Sequence, residues 1–191
     1  MTTTKQKLLT ADELLRLPRG EGKRYELIRG VLIEKMPTGD PHGDSVTRAS
    51  NLIFTYAEDK DYGVVRTGEP GYRLERGPDT VRAPDVAWIA PGRIPQGTQG
   101  YPELAPDLAV EVKSPSNSDP EMAAKAQMWL CYGSQVALVL DPATVTVRIY
   151  RPNTEPVTLG EDDVLDLGDL LPGFSTPVWR LFRRQQPPPP P

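Results

Sequence analysis

A chain of 191 residues with a net charge of −4, one cysteine and one histidine rules out an internal disulfide and any structural zinc site built from cysteines and histidines. The acidic balance argues against a broad basic surface for nucleic acid, though a local patch is compatible with it. The length suits one sizeable core, no apolar run approaches the roughly 20 residues of a membrane span, and the start, Met1 to Lys5, lacks the apolar centre of a signal peptide, so a reducing, cytoplasmic setting is expected.

Residues 1–9 are expected to be disordered. Thr10 and Glu13 have the spacing of a capping box, in which each side chain satisfies the other residue's backbone N–H. A short helix follows and stops near Pro18, and 20–22 reads as a loop. From Arg24 to Lys35, Tyr25 and Leu27, then Val31 and Ile33, alternate with polar residues about Arg29-Gly30, the pattern of a β-hairpin. Pro37 to Pro41 reads as a loop or flap. From His42 to about Lys60 the period becomes helical, with Val46, Ala49, Leu52, Ile53, Tyr56 and Ala57 on one face.

Short strands are expected at 64–66 and 72–74, a turn at 77–79, and an apolar strand at 86–90. A Gly- and Pro-rich loop separates it from a second apolar strand at 107–113. Ser118 can cap a helix from about Asp119 to Tyr132, closed by Gly133. The continuous apolar run at 136–140 suits an internal strand, and 145–150 alternates as a strand. Residues 155–180 show poor periodicity, and 185–191 form a polyproline II tail. One domain is therefore expected over 10–182, between disordered ends at 1–9 and 183–191. The element order suggests an α+β chain, or an α/β-like mixed sheet with helices on its faces.

The informative strand is 107–113, because Glu111 and Lys113 interrupt it. Residues two apart on a strand share a face, and burying charges costs several kcal/mol each unless they are paired or hold a metal. The plain alternative is a same-face ion pair on a surface strand. Asp107 lies four residues from Glu111, roughly 13 Å at about 3.3 Å per residue, too far to share one metal ion, and reads as a turn residue. Asp85 is different. The loop at 91–104 is long enough to reverse the chain, so the strand after Asp85 can pair with 107–113 and place Asp85 opposite Glu111. Asp85 is otherwise a turn residue after Pro84. Two adjacent carboxylates suit a hard divalent cation such as magnesium, and a neighbouring lysine can stabilise developing negative charge, the parts that phosphodiester hydrolysis needs.

Pro84-Asp85, followed after a loop by Glu111-Val112-Lys113, resembles the PD-(D/E)XK nuclease motif. Beyond it, Tyr25–Gly30, the His42 helix, Arg82–Val86, Pro106–Ser116, Lys125, Gly133 and Leu138–Pro142 resemble the Uma2 family of the restriction-endonuclease-like superfamily, over roughly residues 10–150 with a weaker match at Leu171–Phe174. The resemblance implies a restriction-endonuclease-like fold, with a mixed central β-sheet flanked by helices. It implies metal-dependent endonuclease action on DNA, with Asp85 and Glu111 holding Mg2+ or Mn2+ and Lys113 as the catalytic lysine. Many members carry an apolar residue at the position of Lys113, so this chain follows the nuclease pattern more closely than they do. At Trp129 it departs, since the family more often has tyrosine there.

Four further residues are candidates for the site. Glu26 could add an acidic group from the hairpin, or be a solvated strand residue. His42 could contact substrate or assist proton transfer, or simply sit near a helix start. Lys125, and more weakly Gln127, could reach the carboxylates from the following helix, or lie on its solvated face. Trp129 and Tyr132 read as core or interface residues, and Cys131 as a buried small hydrophobe. Arg66, Arg73, Arg82 and Arg93 are the candidate cations for a DNA partner. A homodimer would place two sites for cutting two strands. The rivals are a non-catalytic protein of the same fold that binds nucleic acid or a protein partner, and a structural protein in which the charges form a buried network.

Overall fold

A computed structural model describes residues 7–18, 23–97 and 99–183. The expected loop at 20–22, the polyproline tail and most of the expected disordered start lie outside them. Helix α1 (Ala11–Arg16) begins with the expected capping box. The Thr10 hydroxyl accepts the Glu13 N–H at 3.2 Å, and Glu13 accepts the Thr10 N–H at 2.8 Å. Strands β1 (Arg24–Ile28) and β2 (Val31–Lys35) form the hairpin. Its turn places both Arg29 and Gly30 at positive φ, 49° and 79°, as a two-residue type I′ connection requires.

Helix α2 (Asp40–Lys60) starts two residues earlier than the periodicity suggests. Pro41 lies in its first turn, where a missing N–H leaves no helical bond unmade. Strands β3 (Val64–Thr67) and β4 (Tyr72–Glu75) follow. Then comes β5 (Thr80–Arg82), which the sequence pattern does not announce. Three residues, all buried, are too few to show alternation. It lies between β1 and β4 in a four-stranded sheet of order β2-β1-β5-β4.

The larger sheet has the order β10-β9-β8-β7-β6-β3, formed by β3, β6 (Val86–Ile89), β7 (Leu108–Val112), β8 (Val136–Asp141), β9 (Thr146–Tyr150) and β10 (Val157–Leu159). Its neighbours are antiparallel except β7 and β8, which are parallel and joined through helix α3 (Asp119–Cys131). Strand alternation gives the sheet two apolar faces. Val86, Trp88, Leu108, Val110 and Val112 pack with Ala49, Ile53 and Ala57 of α2. Ala87, Ile89, Ala109 and Ala137 pack with Met122, Ala126 and Trp129 of α3. This is the mixed sheet flanked by helices that the resemblance implies, with a small third sheet of β11 (Val164–Asp166) and β12 (Ser175–Pro177). The poorly periodic C-terminal stretch is core: Leu165, Leu167, Leu171, Phe174, Val178 and Phe182 join the α2 face. No helix of the described residues is long and apolar enough to cross a membrane.

Gly63 links α2 to β3 at φ 80°, and a Cβ there would fall on the Ile89 carbonyl oxygen and the Trp88 indole. Gly63→Ala is therefore expected to cost about 2–3 kcal/mol, from left-handed strain of roughly 1–2 kcal/mol plus the clash. Urea denaturation checks this, and an unchanged midpoint would contradict it.

Candidate active site

The register of β6 against β7 pairs Val86 with Val110 and Ala87 with Ala109. One further step along the same register sets Asp85 opposite Glu111, as the strand spacing suggests. The Val112 N–H donates to Asp85 Oδ2 at 2.7 Å, and His42 Nε2 lies 3.4 Å from the same oxygen. His42 reaches it from the first turn of α2, and it is buried.

Glu111 shares the α3 face of β7 with Ala109, and is only 3% exposed. Each of its oxygens has a donor from α3. Trp129 Nε1 donates to Oε1 at 2.8 Å, and Lys125 Nζ donates to Oε2 at 3.1 Å. Lys125 and Trp129 are four residues apart and so lie one helical turn from each other on one face. Burial drives the Glu111 carboxyl above its ordinary value. Lys125 and the Trp129 hydrogen bond oppose that shift, while the charges of Asp85 and Glu26 reinforce it. For Lys125, burial favours the neutral amine but is outweighed by attraction to Glu111, Glu26 and Asp85, so its pKa lies above the ordinary lysine value. The amine is therefore charged at neutral pH.

Glu26 of β1 is also buried. It accepts the Ala83 N–H at 3.2 Å, and its Oε2 is 3.4 Å from Lys35 Nζ. Arg82 Nε lies 3.1 Å from that oxygen, at an angle that makes an ion pair without a hydrogen bond. The unannounced β5 supplies Arg82 and so ties the hairpin to the chain entering Asp85.

Lys113 does not join this group. Strand β7 ends at Val112, and the Lys113 side chain ion-pairs with Asp119 at the start of α3 and with Asp141 Oδ2 of β8, the latter at 2.8 Å. These partners raise its pKa. The lysine that meets Glu111 comes from the helix instead. Gln127 is exposed on α3.

Several other residues have different surroundings from those expected. Asp107 lies in the bend before β7, as the turn reading expects, but it is also fully buried and accepts from the Ala90 N–H, Arg93 and Gln135. Cys131 is exposed, because it falls on the outer face at the last residue of α3. Of the candidate cations, Arg73 pairs with Asp79, Arg82 with Glu26 and Arg93 with Asp107. Trp129 is core as expected, but its hydrogen bond to Glu111 was legible only as helical spacing from Lys125.

A cleft of about 220 Å³ opens over the site, lined by Met36, His42, Asp85, Glu111, Ser116 and Lys125 among others. No group of three or more His, Cys, Asp and Glu side chains among the described residues is gathered closely enough to hold a metal ion. The donor chemistry nonetheless fits a hard cation that keeps several of its waters and takes one or two carboxylates. Both contacts to Asp85 fall on Oδ2, which leaves Oδ1 available, and each Glu111 oxygen keeps a second lone pair beside its present donor.

Comparison with known proteins agrees with this architecture. The family model described as "Uma2: Putative restriction endonuclease" matches residues 11–179. A crystal structure from Anabaena variabilis ATCC 29413, described as "a putative nuclease belonging to DUF820", superposes with a TM-score of 0.78 over 91% of this chain and 97% of that one. At 24% identity this likeness shows a shared fold. A search of curated proteins gives no match. The family match spans both flanking helices, both main sheets and every residue of the Asp85–Glu111 cluster, and on that ground the chain belongs to the Uma2 family.

Proposed function

We propose that this chain is a divalent-metal-dependent endonuclease that hydrolyses DNA phosphodiester bonds, with Asp85 and Glu111 holding Mg2+ or Mn2+. The observation that carries the reading is the carboxylate pair itself, with Glu111 buried and Asp85 half-buried. Asp85 and Glu111 stand opposite each other one step beyond the paired residues of β6 and β7, Glu111 is salt-bridged to a charged lysine, and both carboxylates line one cleft. When bound, the cation supplies Lewis-acid polarisation of a phosphoryl oxygen and lowers the pKa of a bound water.

The chain's own groups do the rest. Water attacks phosphorus, the bond to the leaving oxygen breaks, and negative charge grows on the phosphoryl oxygens. Lys125, held charged by its carboxylate neighbours, can stabilise that charge but is a poor base for the water proton. His42, whose Nε2 lies 3.4 Å from Asp85 Oδ2, is the imidazole at the site that can pass a proton. Glu26 anchors Lys35 and Arg82 beside the cleft. Lys125 takes the role that the motif gives to Lys113, and Lys113 joins the end of β7 to α3 and β8.

The test is supercoiled plasmid DNA incubated with the protein in Mg2+, in Mn2+ and in EDTA, alongside calorimetric metal titration. Nicking or linearisation with metal and none in EDTA is expected. Absence of both metal binding and cleavage would sink the reading. Metal binding without cleavage of any DNA would favour the non-catalytic rival.

A further inference from the structure

The 3-10 turn Val178–Leu181 packs on α2. Between them is a pocket of about 250 Å³, lined by Thr47, Arg48, Asn51, Leu52, Trp179 and Arg180. None of these residues belongs to the Asp85–Glu111 cluster. Val178 and Leu181 are buried, which fixes the turn and holds Trp179 and Arg180 at the pocket. Arg180 is exposed and makes no ion pair among the described residues. Arg48 bonds Asp44 through Nε alone, at 2.6 Å, and its side chain is 38% exposed.

An acidic chain that binds a polyanion needs local cations. Here Arg73, Arg82 and Arg93 are committed to buried carboxylates and Arg151 to Asp169. The pocket instead sets two guanidinium groups and two neutral polar side chains around an indole. That composition suits a nucleotide, with a flat base for the aromatic ring and a phosphate for arginine. Stacking on an aromatic side chain takes a base free of its duplex neighbours, so the matching ligand is single-stranded. Arg48 is six residues beyond His42, about 9 Å along the helix axis. Helix α2 thus carries both His42 and the pocket's Thr47, Arg48 and Asn51.

We propose that this pocket binds a nucleotide in an unpaired part of the substrate strand, outside the scissile position, with its base on Trp179 and its phosphate on Arg180 and Arg48. The proposal rests on the nuclease reading, since that reading makes a DNA strand the ligand.

The test uses tryptophan fluorescence of the full chain in EDTA, titrated with short oligo(dT) over a range of salt concentrations. Trp88 and Trp129 are 1% and 0% exposed, so quenching by a stacked base reports Trp179. The expected results are a saturable quench in wild type and its loss in Trp179→Phe. Arg180→Ala should weaken binding on the order of tenfold and lower the slope of log K against log salt by about 0.7, one single-strand phosphate contact. Arg180 is exposed, so this variant does not threaten the fold. A quench that persists in Trp179→Phe overturns the proposal, as does Arg180→Ala with unchanged affinity and salt slope, or quenching by duplex alone. EDTA removes metal from the measurement. Oligo(dT) binding with the expected variant effects but no plasmid cleavage therefore defeats the nuclease reading and leaves the pocket standing. Cleavage without quenching does the reverse.

Discussion

Lys125→Met is expected to slow DNA cleavage on the order of 10²–10³-fold, the usual loss when one preorganised group facing developing charge is removed, whereas Lys113→Met should stay within about tenfold of wild type. The contrast follows from where each amine sits. Lys125 Nζ is 3.1 Å from Glu111 Oε2 beneath the cleft, while Lys113 lies between Asp119 and Asp141. Lys125→Met should also cost stability. Breaking a buried pair by removing one partner costs about 3–5 kcal/mol, and the loss here should sit at or below the low end. The Glu111 carboxyl is already pushed up by burial, so it can take up a proton instead of remaining an unpaired anion. Single-turnover cleavage and urea denaturation of both variants check this. A dead Lys113→Met beside an active Lys125→Met would return the catalytic role to Lys113. The Lys113–Asp119 pair has its own pH signature. Lys113 holds the Asp119 carboxyl below its ordinary value of 3.8, so its contribution is present above that value and fades as pH falls through the lowered one.

Asp107→Ala is expected to cost about 2–3 kcal/mol. The carboxylate is completely buried and holds three donors at once: the Ala90 N–H at 2.9 Å, Arg93 at 2.6 Å and Gln135 Nε2 at 2.8 Å. Arg93 is 40% exposed and can turn to water. Gln135 is exposed and can do the same. The Ala90 N–H is fixed in the backbone, and a donor left there without a partner costs about 1–3 kcal/mol. At about 2–4 °C per kcal/mol for a chain of this length, the melting temperature should fall by roughly 4–12 °C. Asp107→Asn keeps an acceptor oxygen and should lose less. Thermal unfolding followed by circular dichroism decides the matter, and a melting temperature within about 2 °C of wild type would mean that the buried carboxylate holds nothing together.

The sequence reveals most where a physical rule acts locally. Thr10 with Glu13 and Ser118 with Glu121 mark helix starts because the cap is completed within four residues. Asp85 and Glu111 can be matched because antiparallel pairing fixes their register once β6 and β7 are identified. The sequence is silent where partners are distant or elements are short. Strand β5 is three residues long and stabilised by pairing on both sides, so no periodicity betrays it. Lys113 obeys strand alternation only as far as the strand extends, and two carboxylates beyond its end claim it. Asp107 resembles a turn residue in sequence because its three donors come from two other segments. Cys131 resembles a core residue by type, and only its position at the end of α3 exposes it.

The C-terminal segment has a consequence for how the chain is made. The apolar face of α2, with Ala49, Ile53 and Ala57, is covered in part by Leu165, Leu171, Phe174 and Phe182. Tyr56 donates to the Pro172 carbonyl across 116 residues of sequence and meets Phe174 edge-on at 5.5 Å. Such contacts close very long loops, whose entropy must be spent before the contact repays it, and they slow folding. During synthesis, α2 emerges early and its C-terminal partners emerge more than a hundred residues later. For that interval the nascent chain presents a greasy helix only partly covered, the kind of surface that chaperones hold and aggregates recruit. The final strands and turns therefore decide when the newly made protein becomes safe in a crowded solution, although none of them carries a residue of the Asp85–Glu111 cluster.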